Sequence, residues 1–118
     1  MTKCRDACVL LLEDDALICL DAEEMLRGLG ARSVLVAHSV DRAEAILESA
    51  GIDVAVLDLR IGAGRSDGLA LALLARGVPF IFTSGYVDTD LPEALRWVPV
   101  VGKPYAADAL GSAFAALG

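Results

Sequence analysis

The chain has 118 residues, enough for one folded domain with its own core and too few for two. At 56% hydrophobic and 23% charged it should fold, and its net charge of −7, with no basic patch, argues against direct nucleic-acid binding. No stretch approaches the roughly 20 apolar residues of a membrane span, and the first residues do not begin a secretory signal. The cysteines, Cys4, Cys8 and Cys19, are odd in number, and no second pair completes a metal site. Free thiols in a reducing cytoplasm are therefore expected.

Ala7 to Leu12 is an apolar run ending in Glu13-Asp14-Asp15, which predicts a strand with acid at its carboxyl end. A helix follows from Ala16. Its apolar stripe is expected at Leu17, Leu20, Met25 and Leu29, with Ile18 and Ala22, while Asp21, Glu23, Glu24 and Arg27 face out. Asp14 or Asp15 can cap it, and Gly30 stops it. Val34-Leu35-Val36 is the next strand, and Ser39 caps a helix carrying Ala43, Ile46 and Leu47 that ends at Gly51.

Within Gly51 to Leu59, Val54, Val56 and their neighbours form a short, almost unbroken apolar segment, the pattern of a strand buried on both faces, from which Asp58 emerges into the glycine-rich Arg60–Gly68. Asp67 caps a short helix over 68–76, closed by Gly77. Pro79 to Thr83 is a fourth strand, finishing at Ser84-Gly85-Tyr86. Over 87–97 only a helical turn after Pro92 fits. Val98 to Val101 is a fifth strand, then Gly102-Lys103-Pro104-Tyr105, and a last helix over 106–117 turns Leu110, Phe114 and Leu117 inward. This alternation predicts an α/β fold, a doubly wound five-stranded parallel sheet with right-handed crossovers and helices on both faces.

In such sheets ligands sit outside the carboxyl ends of the strands. Glu13, Asp14, Asp58, Ser84 and Lys103 all fall there. Two carboxylates about 4 Å apart repel by roughly 4 kcal/mol at an effective dielectric near 20, so the cluster needs a cation. Oxygen donors without His or Cys argue for Mg²⁺. Lys103 and Ser84 can hold phosphoryl oxygens, and a carboxylate beside Mg²⁺ can attack phosphorus to give an acyl phosphate.

These segments, Val9–Asp14, Val56-Leu57-Asp58, Phe82-Thr83-Ser84-Gly85 and Val101–Tyr105, together resemble the receiver domain of two-component response regulators over essentially the whole chain. The resemblance implies a flavodoxin-like (βα)5 receiver fold over 1–118, here with a shortened fourth helix because the segment after Ser84 is too short for a full one. It implies that Asp58 accepts a phosphoryl group from a histidine kinase or phosphotransfer protein. Asp14, Asp58 and the backbone carbonyl of Arg60 would bind Mg²⁺, with Glu13 acting through water. Lys103 would pair with the phosphate across a cis bond to Pro104, and Ser84 would swing toward it on activation. The family's spacing from the strand-opening proline, here Pro79, selects Ser84 over Thr83 as the hydroxyl. Phe82–Tyr86 is similar to the Phe-Ala-Thr-Gly-type receivers found as stand-alone proteins in alphaproteobacteria.

The sequence departs from the family pattern at several points. The loop after Asp58 is longer, Gly62 stands where proline is common, and Val100 occupies the position of the aromatic switch. Tyr86 or Trp97 could substitute for that ring, or the loop itself could carry the signal, and bulky Tyr86 is expected to slow loss of the phosphoryl group. His38 reads as a loop histidine, and Asp15 as a cap rather than a ligand. The alanine-rich last helix suits a homodimer or kinase-docking face, although helix propensity also explains it.

The function expected is a cytoplasmic single-domain response regulator, not an enzyme, signalling through an unknown downstream protein, without nucleic acid or membrane. The alternative is a degenerate receiver acting as a phosphorylation-independent interaction module. A phosphatase of the haloacid-dehalogenase type would need an Asp where Arg60 stands.

Overall fold

A computed structural model describes residues 3–85 and 91–117. The elements run β1 (Cys8–Leu12), α1 (Ala16–Gly28), β2 (Ser33–Ala37), α2 (Val40–Ser49) and β3 (Val54–Asp58). Then come β4 (Arg60–Ile61), β5 (Gly64–Arg65), α3 (Asp67–Ala75) and β6 (Phe80–Ser84). A 3-10 turn (Glu93–Leu95), β7 (Val100–Gly102) and α4 (Ala107–Ala116) complete the order. Five strands form one parallel sheet in the order β2-β1-β3-β6-β7. The predicted fold class is the observed one.

β1, β3 and β6 are buried along their whole length, as their unbroken apolar runs require. Alternation along each strand divides the core in two. Leu10, Leu12, Ala55, Leu57, Phe80 and Phe82 pack toward α2 and α3. Val9, Leu11, Val54, Val56 and Ile81 pack toward α1 and α4, where Leu110 and Phe114 close the layer as predicted. All three cysteines are free and buried in or beside this second layer. Burial raises the pKa of the Cys4 and Cys19 thiols, which keeps them protonated. Among the described residues no helix is long and apolar enough to cross a membrane.

The expected stripe on α1 is corrected. Leu17 and Leu20 are 76% and 63% exposed, and the buried face is Cys19, Ala22 and Leu26, flanked by Met25 and Leu29. At 100° per residue, Leu17 lies about 200° round the helix from Cys19, so the expectation had merged two faces. Asp15 caps α1, accepting from the N–H groups of Leu17 and Ile18, and Gly30 turns the chain away at φ 103°. Ser39 caps α2 through Arg42 N–H, and that helix ends before Gly51, with Ala50 already extended.

Three further expectations shift. The glycine-rich loop after β3 folds as an antiparallel β4–β5 hairpin, with Arg60 opposite Arg65 and Ile61 opposite Gly64. Its turn holds Gly62 at φ 58°, a conformation cheap only without a Cβ. Asp67 does not cap α3: Ser66 is the cap residue, and Asp67 accepts two 3.2 Å bonds from Arg65 Nε. The last strand begins at Val100 rather than Val98, because Pro99 has no N–H to donate and contributes its carbonyl to Phe82 N–H instead.

Candidate functional site

The strand order reverses between β1 and β3: the chain passes from β1 outward to β2, then returns to lay β3 on the other side of β1. The crevice outside that switch point is where an open α/β sheet offers a ligand site. Register aims specific residues into it. Leu12 pairs with Leu57, so Glu13 and Asp58 come next, side by side; Ser84 pairs with Gly102, so Lys103 follows on the adjoining strand. The Lys103 N–H donates to the Ser84 carbonyl at 2.8 Å, and the Lys103–Pro104 bond is cis, as expected.

The Lys103 ammonium stands at the centre. Its Nζ lies 2.8 Å from Asp58 Oδ2 and 2.5 Å from Glu13 Oε1. Glu13 is 1% exposed and Asp58 5% exposed, so both ion pairs are screened from water. Burial alone would lower the Lys103 pKa, but the hydrogen bonds it donates to Asp58 and Glu13 outweigh burial and raise it above 10.5. Glu13 responds oppositely: burial dominates over the lysine and raises its pKa above 4.5. A third carboxylate, exposed Asp14, brings a ligand oxygen within 4.8 Å of those on Glu13 and Asp58. Three oxygen donors around one charged point fit a hard divalent cation better than a soft one, and these three can hold a metal.

The surroundings are partly ones the sequence reading missed. Gly62 N–H donates to Asp14 Oδ2 at 3.0 Å, tying the hairpin tip to the acidic pair. His38, exposed as expected, sets a ring nitrogen 2.8 Å from the Glu13 carbonyl. Asp15 N–H donates to Glu13 Oε2. Buried Ser66 donates to the main-chain carbonyl of Asp58 at 2.8 Å. The cleft has a volume of about 750 Å³ and is lined by Glu13, Asp14, Ile18, Asp58, Arg60, Gly85 and Lys103 among others. Beside it runs a groove of about 340 Å³ between Ile18, Met25, Pro104 and Tyr105. Among the described residues the buried Tyr105 hydroxyl has no hydrogen-bond partner, and desolvation first, then negative Glu13, push its pKa up to about 12.

Ser84 closes β6 at 4% exposure, and Thr83, one step earlier on the strand, turns to the opposite face. Arg60 is exposed on β4. Val100, at the aromatic position of the family pattern, is 44% exposed. The reading of Tyr86 falls outside the described residues. A larger cleft of about 950 Å³ lies at the opposite end of the sheet near Lys3, Arg5 and Arg32, but those three side chains are exposed, so chemistry rather than size selects the acidic mouth.

No family model matches the chain, and no curated protein matches it. Solved structures do. The solution structure of SdrG from Sphingomonas melonis Fr1 is 34% identical, superimposes with a TM-score of 0.81, and is matched over 99% of this chain and 98% of that one. The chain belongs to the receiver family of response regulators. The BeF3-activated conformation of SdrG, given as from Pseudomonas melonis Fr1, is 36% identical at a TM-score of 0.80, covering 96% and 97% of the two chains. A response regulator receiver protein from Sinorhizobium medicae WSM419 is 25% identical at 0.79, covering 94% and 93%. Receivers are signalling modules, and two-component signalling is accordingly this chain's setting.

Proposed function

We propose that this receiver is phosphorylated on Asp58 by a histidine kinase or phosphotransfer protein and signals through altered protein binding. The single observation that carries the reading is the Lys103 Nζ shared between Asp58 at 2.8 Å and buried Glu13, with Asp14 completing the acidic rim. Asp14, Asp58 and the Arg60 carbonyl would hold Mg²⁺, with Glu13 acting through water. When bound, Mg²⁺ supplies positive charge against the phosphoryl oxygens.

The residues of the chain do the rest. An Asp58 carboxylate oxygen forms the bond to phosphorus while the bond from phosphorus to the donor imidazole breaks, its electron pair staying on nitrogen. The product is an acyl phosphate. Lys103 follows the new negative charge, and the Ser84 hydroxyl turns to donate to a phosphoryl oxygen. Gly85 leaves the cleft wall open, so a donor can approach. The phosphoryl group is satisfied in only one arrangement of these groups, and the population of loop conformations shifts toward it. Exposed Leu17 and Leu20 on α1, and the Tyr105 groove beside the cleft, offer an apolar landing for the phosphodonor. That SdrG has a BeF3-activated conformation supports the reading by kinship.

Incubation with acetyl phosphate, with and without Mg²⁺, followed by intact mass, tests the proposal. One phosphoryl group should add in the presence of Mg²⁺ and none to Asp58→Asn. The exposed valine at 100, where the family carries a ring, favours a second reading, a receiver that binds partners without phosphorylation. Absence of any mass gain would select it, and turnover of free phosphomonoesters would point instead to a phosphatase.

A further inference from the structure

Ser66 is fully buried at the N-cap position of α3. A serine there ordinarily offers its oxygen to the first free N–H groups of the helix, a contribution of about 1 kcal/mol. This one makes no such bond. Its Oγ donates instead to the Asp58 carbonyl at 2.8 Å, and its N–H donates to the Leu59 carbonyl at 3.0 Å. The chain therefore leaves β3 at Asp58, runs out along β4, turns at Gly62, returns along β5, and is fastened to its point of departure. What lies between the two anchors belongs to the mouth: Arg60, and Gly62 with its 3.0 Å bond to Asp14.

Other contacts hold this loop less directly. Two-residue strands do not persist by themselves in water. The Arg65–Asp67 pair is about one-quarter exposed on each side, so solvent competes with it. Ile61 packs into the core, but an apolar contact fixes depth and not direction. The Ser66 hydroxyl adds a second buried, directional bond to the one its own N–H makes, and it ends on the main chain of the phosphoacceptor.

We infer that Ser66 is a positioning residue for the cation site: its hydroxyl holds the hairpin against Asp58, and so fixes the Arg60 carbonyl and the Gly62 N–H relative to the Asp14 and Asp58 carboxylates. The inference rests on the Mg²⁺ reading above. It assigns a role in the site to a serine that, as a helix-start residue, would have been explained by capping alone.

The test uses the full chain and Mg²⁺ alone as probe, titrated by amide NMR shifts, with urea unfolding alongside. Ser66→Ala should weaken Mg²⁺ binding by about tenfold, the low end of the loss on removing a group that orients metal ligands. Ser66→Thr, which keeps the hydroxyl, should stay close to wild type. With acetyl phosphate, the Mg²⁺ concentration at half-maximal rate should rise in the Ala variant while the rate at saturating Mg²⁺ holds. A folded Ser66→Ala protein that is less stable but binds Mg²⁺ as wild type does overturns the inference, as does equal weakening in Ser66→Thr. If Ser66→Ala does not fold, Ser66→Cys, similar in volume but a weak donor, takes its place with the same expected loss. Failure of Mg²⁺ to bind wild type overturns the cation reading and this inference together, whereas normal binding by wild type and Ala variant alike overturns the inference only.

Discussion

The acidic mouth and the β6–β7 flank are built on neighbouring strands, yet they are held by different means. At the mouth, Glu13, Asp58 and Lys103 come from three distant stretches of the chain and meet in buried ion pairs. On the flank, a 3-10 turn is the element that precedes the three-residue edge strand β7 among the described residues, and Trp97 and Val100 stand 56% and 44% exposed. Trp97 is fastened locally, donating from Nε1 to the Ala94 carbonyl and tilting against Phe80 at 6.2 Å. Removing one buried charge leaves its partner without compensation, whereas an exposed ring can be lost with little consequence beyond its own contacts. Of the two regions, the mouth therefore depends more on the charges it brings together, and the flank on local contacts.

The sharpest way to break this contrast is Lys103→Ala. It leaves buried Glu13 facing Asp58 with no cation between them, and should cost about 3 kcal/mol, the low end for a disrupted buried pair because the cleft opens to water. Urea unfolding at neutral pH without divalent cations measures it, and added Mg²⁺ should recover part of the loss. A variant as stable as wild type would show that the mouth is no more constrained than the flank.

The pH dependence sharpens the same point. Lys103 titrates above 10.5 in the folded chain, so its contribution is complete below 10.5 and is lost as pH rises through the folded value. Glu13 is raised above 4.5, so the stability it adds is complete below 4.5 and disappears as pH rises through its folded value; ionised Glu13 is a cost at neutral pH. Without metal, Glu13→Gln should therefore be at least as stable as wild type at neutral pH, and its stability should change less between acid and neutral conditions. Urea midpoints across that range check both statements, and a less stable Gln variant at neutral pH would contradict them.

The smallest effect is expected on the flank. Trp97→Ala should cost about 1 kcal/mol, the worth of one aromatic contact, and leave phosphoryl uptake by Asp58 unchanged. Slowed uptake in the Trp97 variant would tie the two regions together.

Much of this was legible because strand and helix periods are written in the order of residues. The apolar runs ending in Glu13 and Asp58, the caps Asp15 and Ser39, and the stop at Gly30 needed only local chemistry. Leu17 and Leu20 were misread because α1 carries apolar residues on two faces, and only the sheet beneath it chooses one. Ser66 was invisible for a related reason: a hydroxyl can bond to many acceptors, and the one it takes is whichever the fold brings near.

By itself the sequence determined the alternation of elements, the burial of the central strands, and the placing of acid, hydroxyl and lysine at strand ends, since each follows from neighbours within a few positions. Only the tertiary structure decided that Lys103 would bridge Glu13 and Asp58, that the loop after β3 would fold as a hairpin tied to Asp14, and that Ser66 would reach back to Asp58. Those bonds join groups brought together by strand order and register, and the pairing of strands far apart in the chain depends on what else is packed beside them.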